Sequence, residues 1–385
     1  MRVLPPLTIT NAILTSSTAP EPGVGEAAWA SGTTYIVGDQ AILGSPSSTV
    51  TVSIASPGVV TWASNGLPDG TPVVLTTTGA LPTGLTAGEV YYVVKRASGT
   101  FQLAADIDGA PIVTTGSQSG THTATAQIHR IYESQSPSNQ DNPPAIDDGT
   151  NWLVIGPTNR WACLDLLRNT ATTFPASPGV VVLTPGERID SIGLVGIVAD
   201  SVTVSVTVSA VEVYTEAVNL LARPTTTWYE YFFGAFVYKS AVALFDLPPY
   251  TGGVVTVTLT RASGLPALGG LLVGRSAYLG RTLHNPIDGE VNYSTIARDD
   301  YGTSVLTRRR SVPKVNQTVR IDKAAVNKAR AARTALNAVP ALWSGLDDTD
   351  SGYFEALLIL GVYKAFEINM DQPEEALITL ELEEV

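Results

Sequence analysis

The stretch "IDSIGLVGIVADSVTVSVTVSAVEVYTEAV" (189–218) decides the fold class. Within it, valine alternates with serine or threonine over residues 201–208. Because successive side chains of a β-strand point to opposite faces, this alternation predicts a strand with one buried face and one wet face. The stretch "GGVVTVTLTRAS" (252–263) repeats the pattern. We therefore predict a β-sandwich of jelly-roll type over residues 158–284.

The composition extends this prediction to the whole chain. A length of 385 residues with 44% hydrophobic residues allows several cores, and 34 glycines with 25 prolines indicate many turns. The predicted class is mainly β and multidomain. Cys163 is the single cysteine, which excludes a disulfide within the chain, and three scattered histidines are too few for a metal cluster. We expect no cofactor and no bound metal.

One helix is predicted, in the C-terminal part. Asp322 is a suitable N-cap, and Pro340 ends the apolar stripe that follows. The segments "GYFEALLILGVYKAFEINM" (352–370) and "EEALITLELEEV" (374–385) are predicted as the last two strands, so residues 285–385 form an α+β part. The stripe recurs at helical spacing through Ala325, Ala329, Ala332, Leu336 and Val339.

A small module in the N-terminal half is split in two. Its first half is "AAWASGTTYIVGDQAIL" (27–43), and its second half is "HRIYESQSPSNQDNPPAIDDGTNWLVIG" (129–156). The intervening residues predict five short strands, a self-contained β-domain whose two ends lie close together. The predicted domains are an N-terminal strand and linker (1–27), the split module (28–47 plus 128–157), the inserted β-domain (48–127), the β-sandwich (158–284) and the C-terminal assembly domain (285–385).

The split module resembles the small carbohydrate-binding modules of chitinases and cellulases. In that family exposed aromatic side chains bind chitin, so the resemblance implies that Trp29, Tyr35, Tyr132 and Trp152 face a glycan. The alternative is that these aromatics form the core of a domain too small to have another. In bacteriophages such modules often serve as folded spacers. The residues that carry the resemblance are Trp29, Tyr35, Gly38, Asp39, Tyr132, Pro143 and Trp152.

The inserted domain contains the motifs "GALPTGLTAGEVYYV" (79–93), "TFQLA" (100–104) and "SGTH" (119–122). On these motifs it looks like a domain that recurs in phage tail and virion proteins. The stretches 155–167, 291–322, 339–348 and 361–370 also look like tail-region proteins of tailed phages. These resemblances imply a structural virion protein of the tail or distal tail tip, assembled in the bacterial host cytoplasm. The implied partners are other copies of the chain and neighbouring tail proteins.

The net charge of −12 is unevenly distributed. Residues 298–333 hold ten basic and three acidic groups, whereas residues 347–385 hold eleven acidic groups and one base. One interpretation is nucleic-acid contact; the other is that the basic band faces the acidic tail, within a subunit or between neighbours. We favour the second, because an acidic tail would repel phosphate. The candidate inter-subunit residues are Arg308, Arg309, Arg310, Lys323, Arg330 and Arg333.

No sequence motif supports an enzyme. The chain has no G-x-S-x-G, P-loop or dinucleotide fingerprint. The carboxylates of "DDTDSGYFE" (347–355) leave a metal ion at Asp347–Asp350 open. The longest apolar run is too short to cross a membrane, and Pro5 and Pro6 interrupt any signal peptide. Two alternatives stay open: a glycan-binding host-recognition protein of the same particle, and a secreted glycosidase with an appended module.

Overall fold

The computed structural model confirms the mainly β, multidomain class, with 46% of the chain in strands and 8% in helices. It describes residues 1–63, 66–107, 109–222, 227–298, 300–349, 351–370 and 374–385. The chain divides into two compact units. The smaller unit holds Thr10–Ala12 and Pro20–Trp161, and the larger unit holds Met1–Ile9, Ile13–Ala19 and Ala162–Val385.

Two short strands of the larger unit come first in the chain, and the strands of the smaller unit follow. The first two are β1 (Arg2–Leu4) and β2 (Leu14–Ser17). The smaller unit contains β3 (Thr34–Tyr35), β4 (Gln40–Leu43), β5 (Ser47–Val52), β6 (Val60–Thr61), β7 (Pro72–Thr77), β8 (Val90–Ala97), β9 (Thr100–Ala104), β10 (His122–Ala126), β11 (Arg130–Ser134), β12 (Asn139–Gln140), the 3-10 turn Pro144–Ile146 and β13 (Trp152–Pro157).

Strands β5 to β10 form a closed antiparallel barrel in the order β10-β5-β6-β9-β8-β7, and β7 pairs back to β10. Its interior is filled by the side chains that alternate inward, among them Trp62 and Phe101. The chain enters and leaves the barrel on paired strands, with Ser47 opposite Thr125. A closed barrel leaves no free strand edge, so this inserted domain is complete by itself.

The rest of the smaller unit is the split module, built from two small antiparallel sheets. One sheet has the order β13-β11-β4 and the other pairs β12 with β3. Strand β4 comes before the barrel in the chain and β11 comes after it, yet they lie side by side with Ile42 opposite Ile131. The module is therefore continuous in space although its sequence is interrupted.

The larger unit contains most of the regular structure. Its elements are the 3-10 turn Ala162–Leu164, β14 (Thr172–Thr173), β15 (Gly179–Leu183), β16 (Ser191–Val195), β17 (Ser201–Val208), β18 (Val211–Asn219), β19 (Leu221–Ala222), α1 (Trp228–Phe233), β20 (Val237–Tyr238), β21 (Ala241–Leu244), β22 (Val254–Thr260), β23 (Ala267–Leu268), β24 (Gly270–Gly274), β25 (Ala277–Tyr278), β26 (Arg281–Thr282), β27 (Ile287–Asn292), β28 (Thr295–Arg298), β29 (Ser304–Thr307), β30 (Ser311–Asp322), the 3-10 turn Lys323–Ala325, α2 (Val326–Ala335), β31 (Ala341–Ser344), the 3-10 turn Glu355–Leu357, β32 (Leu358–Asn369) and β33 (Glu375–Glu384).

Three sheets of the larger unit set its architecture. A five-stranded sheet has the order β18-β17-β22-β15-β2, and a three-stranded sheet has the order β21-β16-β24. The third sheet has the order β25-β1-β31-β32-β33-β30-β26, with β27 also paired to β30. Val202, Val204 and Val206 of β17 are buried while the alternating serine and threonine side chains are half-buried, as the pleat requires.

The three-stranded sheet and the large sheet share one hydrophobic core. Leu342 and Leu360 of the large sheet pack with Val195 and Leu272 of the three-stranded sheet. Gly193 in β16 is required by this contact, because a Cβ there would overlap the Leu342 side chain. Residues 162–284 and 285–385, which were predicted as parts of two domains, thus lie in one compact unit.

Helix α2 is shorter than the sequence predicts. Asp322 ends strand β30 instead of capping the helix by its side chain, and α2 runs from Val326 to Ala335. Ala329 and Leu336 are buried against the large sheet, but Val339 lies beyond the helix and is exposed. The pairing of β30 with β33 continues to Asp322, so the residue predicted as the helix N-cap belongs to the strand. The helix begins later, at Val326.

Candidate functional site

The four aromatic residues predicted to face a glycan form a single cluster in the split module. Tyr35, Tyr132 and Trp152 are buried and pack together, while Trp29 is half-buried against them. The Tyr35 and Trp152 rings meet edge to face with centroids 5.0 Å apart. The burial of these three corrects the expectation that they face a glycan, because a platform for a sugar ring must be accessible. Whether the module binds a glycan stays a prediction.

One carboxylate holds the loop that precedes Trp152 through hydrogen bonds to its backbone. Asp147 accepts hydrogen bonds at 2.9 Å from the backbone N–H groups of Gly149, Asn151 and Trp152. Burial by itself raises the pKa of Asp147, but these hydrogen bonds outweigh it and the pKa is lowered. The carboxylate therefore holds the loop in its ionised form and is poorly suited to act as a general acid.

A buried polar cluster lies where the chain leaves the barrel. Nδ1 of His129 is 2.9 Å from both carboxylate oxygens of Glu21, and the His129 ring stacks on Trp161 at 4.1 Å. Nε2 of His129 is 2.8 Å from Oδ1 of Asn11 and 3.2 Å from Oγ of Ser45. Both ring nitrogens of His129 therefore have hydrogen-bond partners within the cluster. The cluster thereby joins Glu21 and Asn11 to His129, close to the point where the chain leaves the barrel.

The basic band and the acidic tail meet within one chain. Strand β30 lies beside β33, and Arg310 pairs with Glu384 while Arg320 lies 3.6 Å from Glu375. Glu384 also accepts from Nε of Arg168 at 3.1 Å. The part of the acidic tail in β33 therefore has basic partners in its own subunit.

The other candidate basic residues lie on separate elements. Arg308 and Arg309 are exposed in the connection between β29 and β30. Lys323 is exposed in the 3-10 turn before α2, and Arg330 is exposed within α2. Arg333 is half-buried and donates to the Phe366 carbonyl oxygen at 3.4 Å. Assembly through these side chains stays a prediction.

A cluster of exposed aromatic side chains marks a surface that the sequence analysis did not single out. The aromatic hairpin, by which we mean residues 221–222 and 227–238, has a base in which β19 pairs with β20, and α1 lies between these two strands in the chain. Thr227 caps α1 through a capping box with Glu230, so α1 has a defined local conformation. Its exposed aromatics are Trp228, Tyr229, Tyr231, Phe232, Phe233, Phe236 and Tyr238.

The apolar area that this hairpin exposes is larger than is usual for a soluble monomer. Trp228 is 80% exposed and Phe233 is 74% exposed, and no residue of α1 is buried. Taking about 200 Å² per aromatic side chain, the hairpin shows on the order of 800 Å² of aromatic area. Soluble monomers rarely expose contiguous apolar patches above a few hundred Å², and larger ones mark interaction sites.

A second exposed hairpin pairs β28 with β29. Every residue of both strands is exposed, including Ile296 and Leu306, and Leu306 is 73% exposed. A two-stranded hairpin without a packed face is marginally stable in water. Its apolar side chains therefore favour a partner surface outside the described part of this subunit.

The larger unit also contains an open cavity of about 650 Å³. The exposed Tyr353 stands among its lining residues, and the floor includes the buried Leu357. Charged residues, among them Arg281 and Asp288, also line it. Its remaining apolar lining comes from Met1, Leu283, Pro286, Leu346 and Ala356.

Two groups considered for chemistry in the sequence analysis, the carboxylates near Asp347 and the Cys163 thiol, are placed as follows. The described residues contain no group of three side chains able to hold a metal ion. Of the segment left open as a metal site, Asp347 pairs with Nε of Arg2 at 3.1 Å, and Asp350 lies outside the described residues. Burial raises the pKa of the Cys163 thiol to about 11, which keeps the nucleophilic thiolate scarce near neutral pH.

Two signals in the sequence could have identified the aromatic hairpin. The spacing of Thr227 and Glu230 is that of a capping box, which predicts a helix start. The aromatics that follow show no alternation with polar residues, and a half-buried strand would need that alternation. This segment was instead predicted to be part of the β-sandwich.

None of the helices in the described residues is long and apolar enough to cross a membrane. No protein-family model and no curated protein matches the chain. Among solved structures, the GH78 family rhamnosidase of Bacillus sp. GL1 is similar over 78% of this chain, with 13% sequence identity and a TM-score of 0.22. The chain spans 36% of the length of that enzyme. A similarity at this level carries no inference about fold or activity.

Proposed function

We propose that this chain is a structural component of a bacteriophage virion, in the tail or distal tail tip, and that it forms a homo-oligomer. The observation that carries the proposal is the aromatic hairpin, in which α1 buries none of its residues. An apolar surface of this extent is stable in solution when a partner covers it. The β28–β29 hairpin adds a second exposed apolar surface to the same unit.

The inserted barrel supports a role in presentation. It is closed, its core is its own, and it joins the split module through two neighbouring chain segments. Gly44 accepts hydrogen bonds from the backbone N–H groups of Ile128 and His129, which fixes the point of attachment. A domain attached in this way keeps its surface free, as a domain displayed on an assembled scaffold must.

The assignment to a phage particle is supported by the sequence of the barrel and of the segment that forms β27 to β30. Mass spectrometry of purified virions of the phage that encodes this chain tests it. We expect the chain among the virion proteins, in a copy number that fits a ring. Absence of the chain from purified virions would contradict the proposal, even if the isolated protein forms oligomers.

A further inference from the structure

We propose that the open cavity of the larger unit binds a small, neutral carbohydrate. The cavity has a volume of about 650 Å³, within the range of roughly 300–1,000 Å³ typical of small-molecule sites. It lies in a different compact unit from the split module, so this site is distinct from the one that the resemblance implies. The proposal does not depend on self-assembly, and its failure would leave the proposed role in the virion unaffected.

One wall of the cavity is a bulge in the edge of the large sheet. Strands β26 and β27 both pair with β30, with Thr282 opposite Val319 and Ile287 opposite Asn316. Four residues, 283–286, therefore stand between the two paired positions on this side, where β30 has two, 317 and 318. All four line the cavity. Bulges of this kind redirect side chains and are frequent next to functional sites.

Strand β30 places a buried amide opposite the bulge. Gln317 is 3% exposed, and neither Nε2 nor Oε1 of its side chain has a hydrogen-bond partner among the described residues. A Cβ on Gly345, a lining residue, would come within 2.7 Å of Gln317 Oε1, so the amide lies directly beside the cavity lining. A buried amide without partners costs free energy, and a ligand hydroxyl group that bonds to it removes this cost.

The exposed part of the lining combines an aromatic ring with hydrogen-bonding groups. Tyr353 is 75% exposed, so its ring is accessible to a flat apolar surface such as the C–H face of a sugar ring. Arg281, Asn285 and Asp288 are exposed lining residues that can donate to or accept from hydroxyl groups. A sugar presents both kinds of surface, an apolar face and a polar edge.

The charges of the lining favour a neutral ligand. The described lining holds one arginine, Arg281, and two carboxylates, Asp288 and Asp347. Asp347 is already paired with Nε of Arg2 at 3.1 Å. A phosphate group would be repelled by these carboxylates, and a wholly apolar ligand would cover the polar groups without hydrogen bonds. A hydroxyl-rich, uncharged molecule avoids both penalties.

Saturation-transfer difference NMR on the full-length chain tests the proposal. The probes are glucose, galactose, mannose, N-acetylglucosamine and disaccharides of these sugars, each at millimolar concentration, with glucose 6-phosphate as the charged comparison. We expect saturable binding of at least one neutral sugar, and weaker binding of glucose 6-phosphate than of glucose. Absence of saturation transfer to every neutral sugar would overturn the proposal, and so would preferential binding of the phosphorylated sugar.

Tyr353→Ala and Tyr353→Phe test the aromatic contact. We expect Tyr353→Ala to weaken sugar binding about ten-fold, from the contribution of one aromatic contact, while Tyr353→Phe retains it. The matched control is Tyr250→Ala, because Tyr250 is 50% exposed in the same unit but does not line the cavity. Trp29→Ala, in the split module, should also bind as the wild type does. Binding lost in Trp29→Ala but kept in Tyr353→Ala would place the sugar in the split module and overturn the proposal.

Gln317→Leu separates a ligand contact from a structural role. Because the amide has no partner among the described residues, its replacement by an apolar side chain of similar size should leave the free energy of unfolding unchanged or raise it. The affinity for the sugar should fall several-fold in the same variant. Wild-type affinity in both Gln317→Leu and Tyr353→Ala, with each variant folded by circular dichroism, would show that the sugar binds elsewhere and overturn the proposal.

Discussion

The Trp152 indole Nε1 donates a hydrogen bond of 2.9 Å to the backbone carbonyl of Asn142. The same indole meets the Tyr35 ring edge to face and is 2% exposed. Trp152 therefore connects the loop after β12 to strand β13 and fills the centre of the split module. The resemblance to carbohydrate-binding modules predicts that Trp152→Ala loses glycan binding. The burial of Trp152 predicts that the same substitution lowers the stability of the smaller unit.

Trp152→Ala is expected to destabilise the smaller unit by about 3–5 kcal/mol, the range for removal of a buried large aromatic. Trp29→Ala, at the half-buried edge of the same cluster, should cost less. Chemical denaturation monitored by far-UV circular dichroism measures both. Equal and small losses for the two variants would contradict the assignment of Trp152 to the core.

Glycan binding is tested separately with Trp29→Ala, since that variant leaves the centre of the core intact. A glycan array probed with the wild type and with Trp29→Ala distinguishes the two functions considered for the module. Specific binding that is lost in the folded variant would support host recognition. Absence of any retained glycan would support a spacer role.

The Glu21–His129 pair predicts acid sensitivity of the smaller unit. Burial raises the pKa of Glu21, but the hydrogen bond and charge of His129, together with the hydrogen bond from Thr158, outweigh this and hold the pKa below its usual value of 4.5. Because the folded-state pKa is lowered, the pair stabilises the fold above about pH 4.5 and this stabilisation is lost as the pH falls through the folded pKa.

Glu21→Gln should therefore flatten the fall in the free energy of unfolding between neutral and acidic pH. Urea titrations at several pH values provide the measurement, and Glu89→Gln, an exposed carboxylate in the barrel, is the control. Asp147 acts in the same direction, so part of the acid sensitivity should persist in Glu21→Gln. If the free energy of unfolding of Glu21→Gln depends on pH as that of the wild type does, the Glu21–His129 pair does not stabilise the smaller unit.

The Cys163 thiol should resist modification in the folded protein. It is buried, and burial raises its pKa to about 11. A thiol reagent such as dithionitrobenzoate should react slowly at pH 8 and fast after denaturation. Rapid stoichiometric reaction of the native chain would show that Cys163 is accessible and that the larger unit opens around it.

Phe232→Ser should separate assembly from folding. Because Phe232 is exposed, the free energy of unfolding of the monomer should change by no more than about 0.5 kcal/mol. Phe366→Ser, at a buried position of the large sheet, should destabilise the fold strongly. Thermal unfolding combined with light scattering measures both effects. A large loss of monomer stability in Phe232→Ser would mean that the hairpin packs on its own subunit.

Patterns of alternation made much of the fold predictable. The alternating apolar residues of β17 and β22 are buried on one face, as the two-residue period predicts. In β33 the same period buries Ala376, Ile378, Leu380 and Leu382. An inserted β-domain was predicted at residues 48–127, and the barrel strands run from Ser47 to Ala126. Turn residues and alternation depend on neighbouring positions in the chain, so they can be recognised in a single sequence.

The remainder depends on tertiary contacts that no local pattern records. Aromatic residues at correct spacing leave open whether they face inward, and Tyr35 and Trp152 turn out to face each other. Asp322 has the residue type of an N-cap, but its pairing with Glu375 extends strand β30 instead. The aromatic hairpin at Trp228 was missed because a hydrophobic segment is expected to be buried, and this one is exposed.

The molar mass of the purified full-length chain in solution tests the central claim most directly. Sedimentation velocity over the whole accessible concentration range should show a discrete multimer for the wild type and a monomer for Phe232→Ser. A wild-type chain that sediments as a monomer at its highest soluble concentration, with the aromatic hairpin open to solvent, would contradict the account.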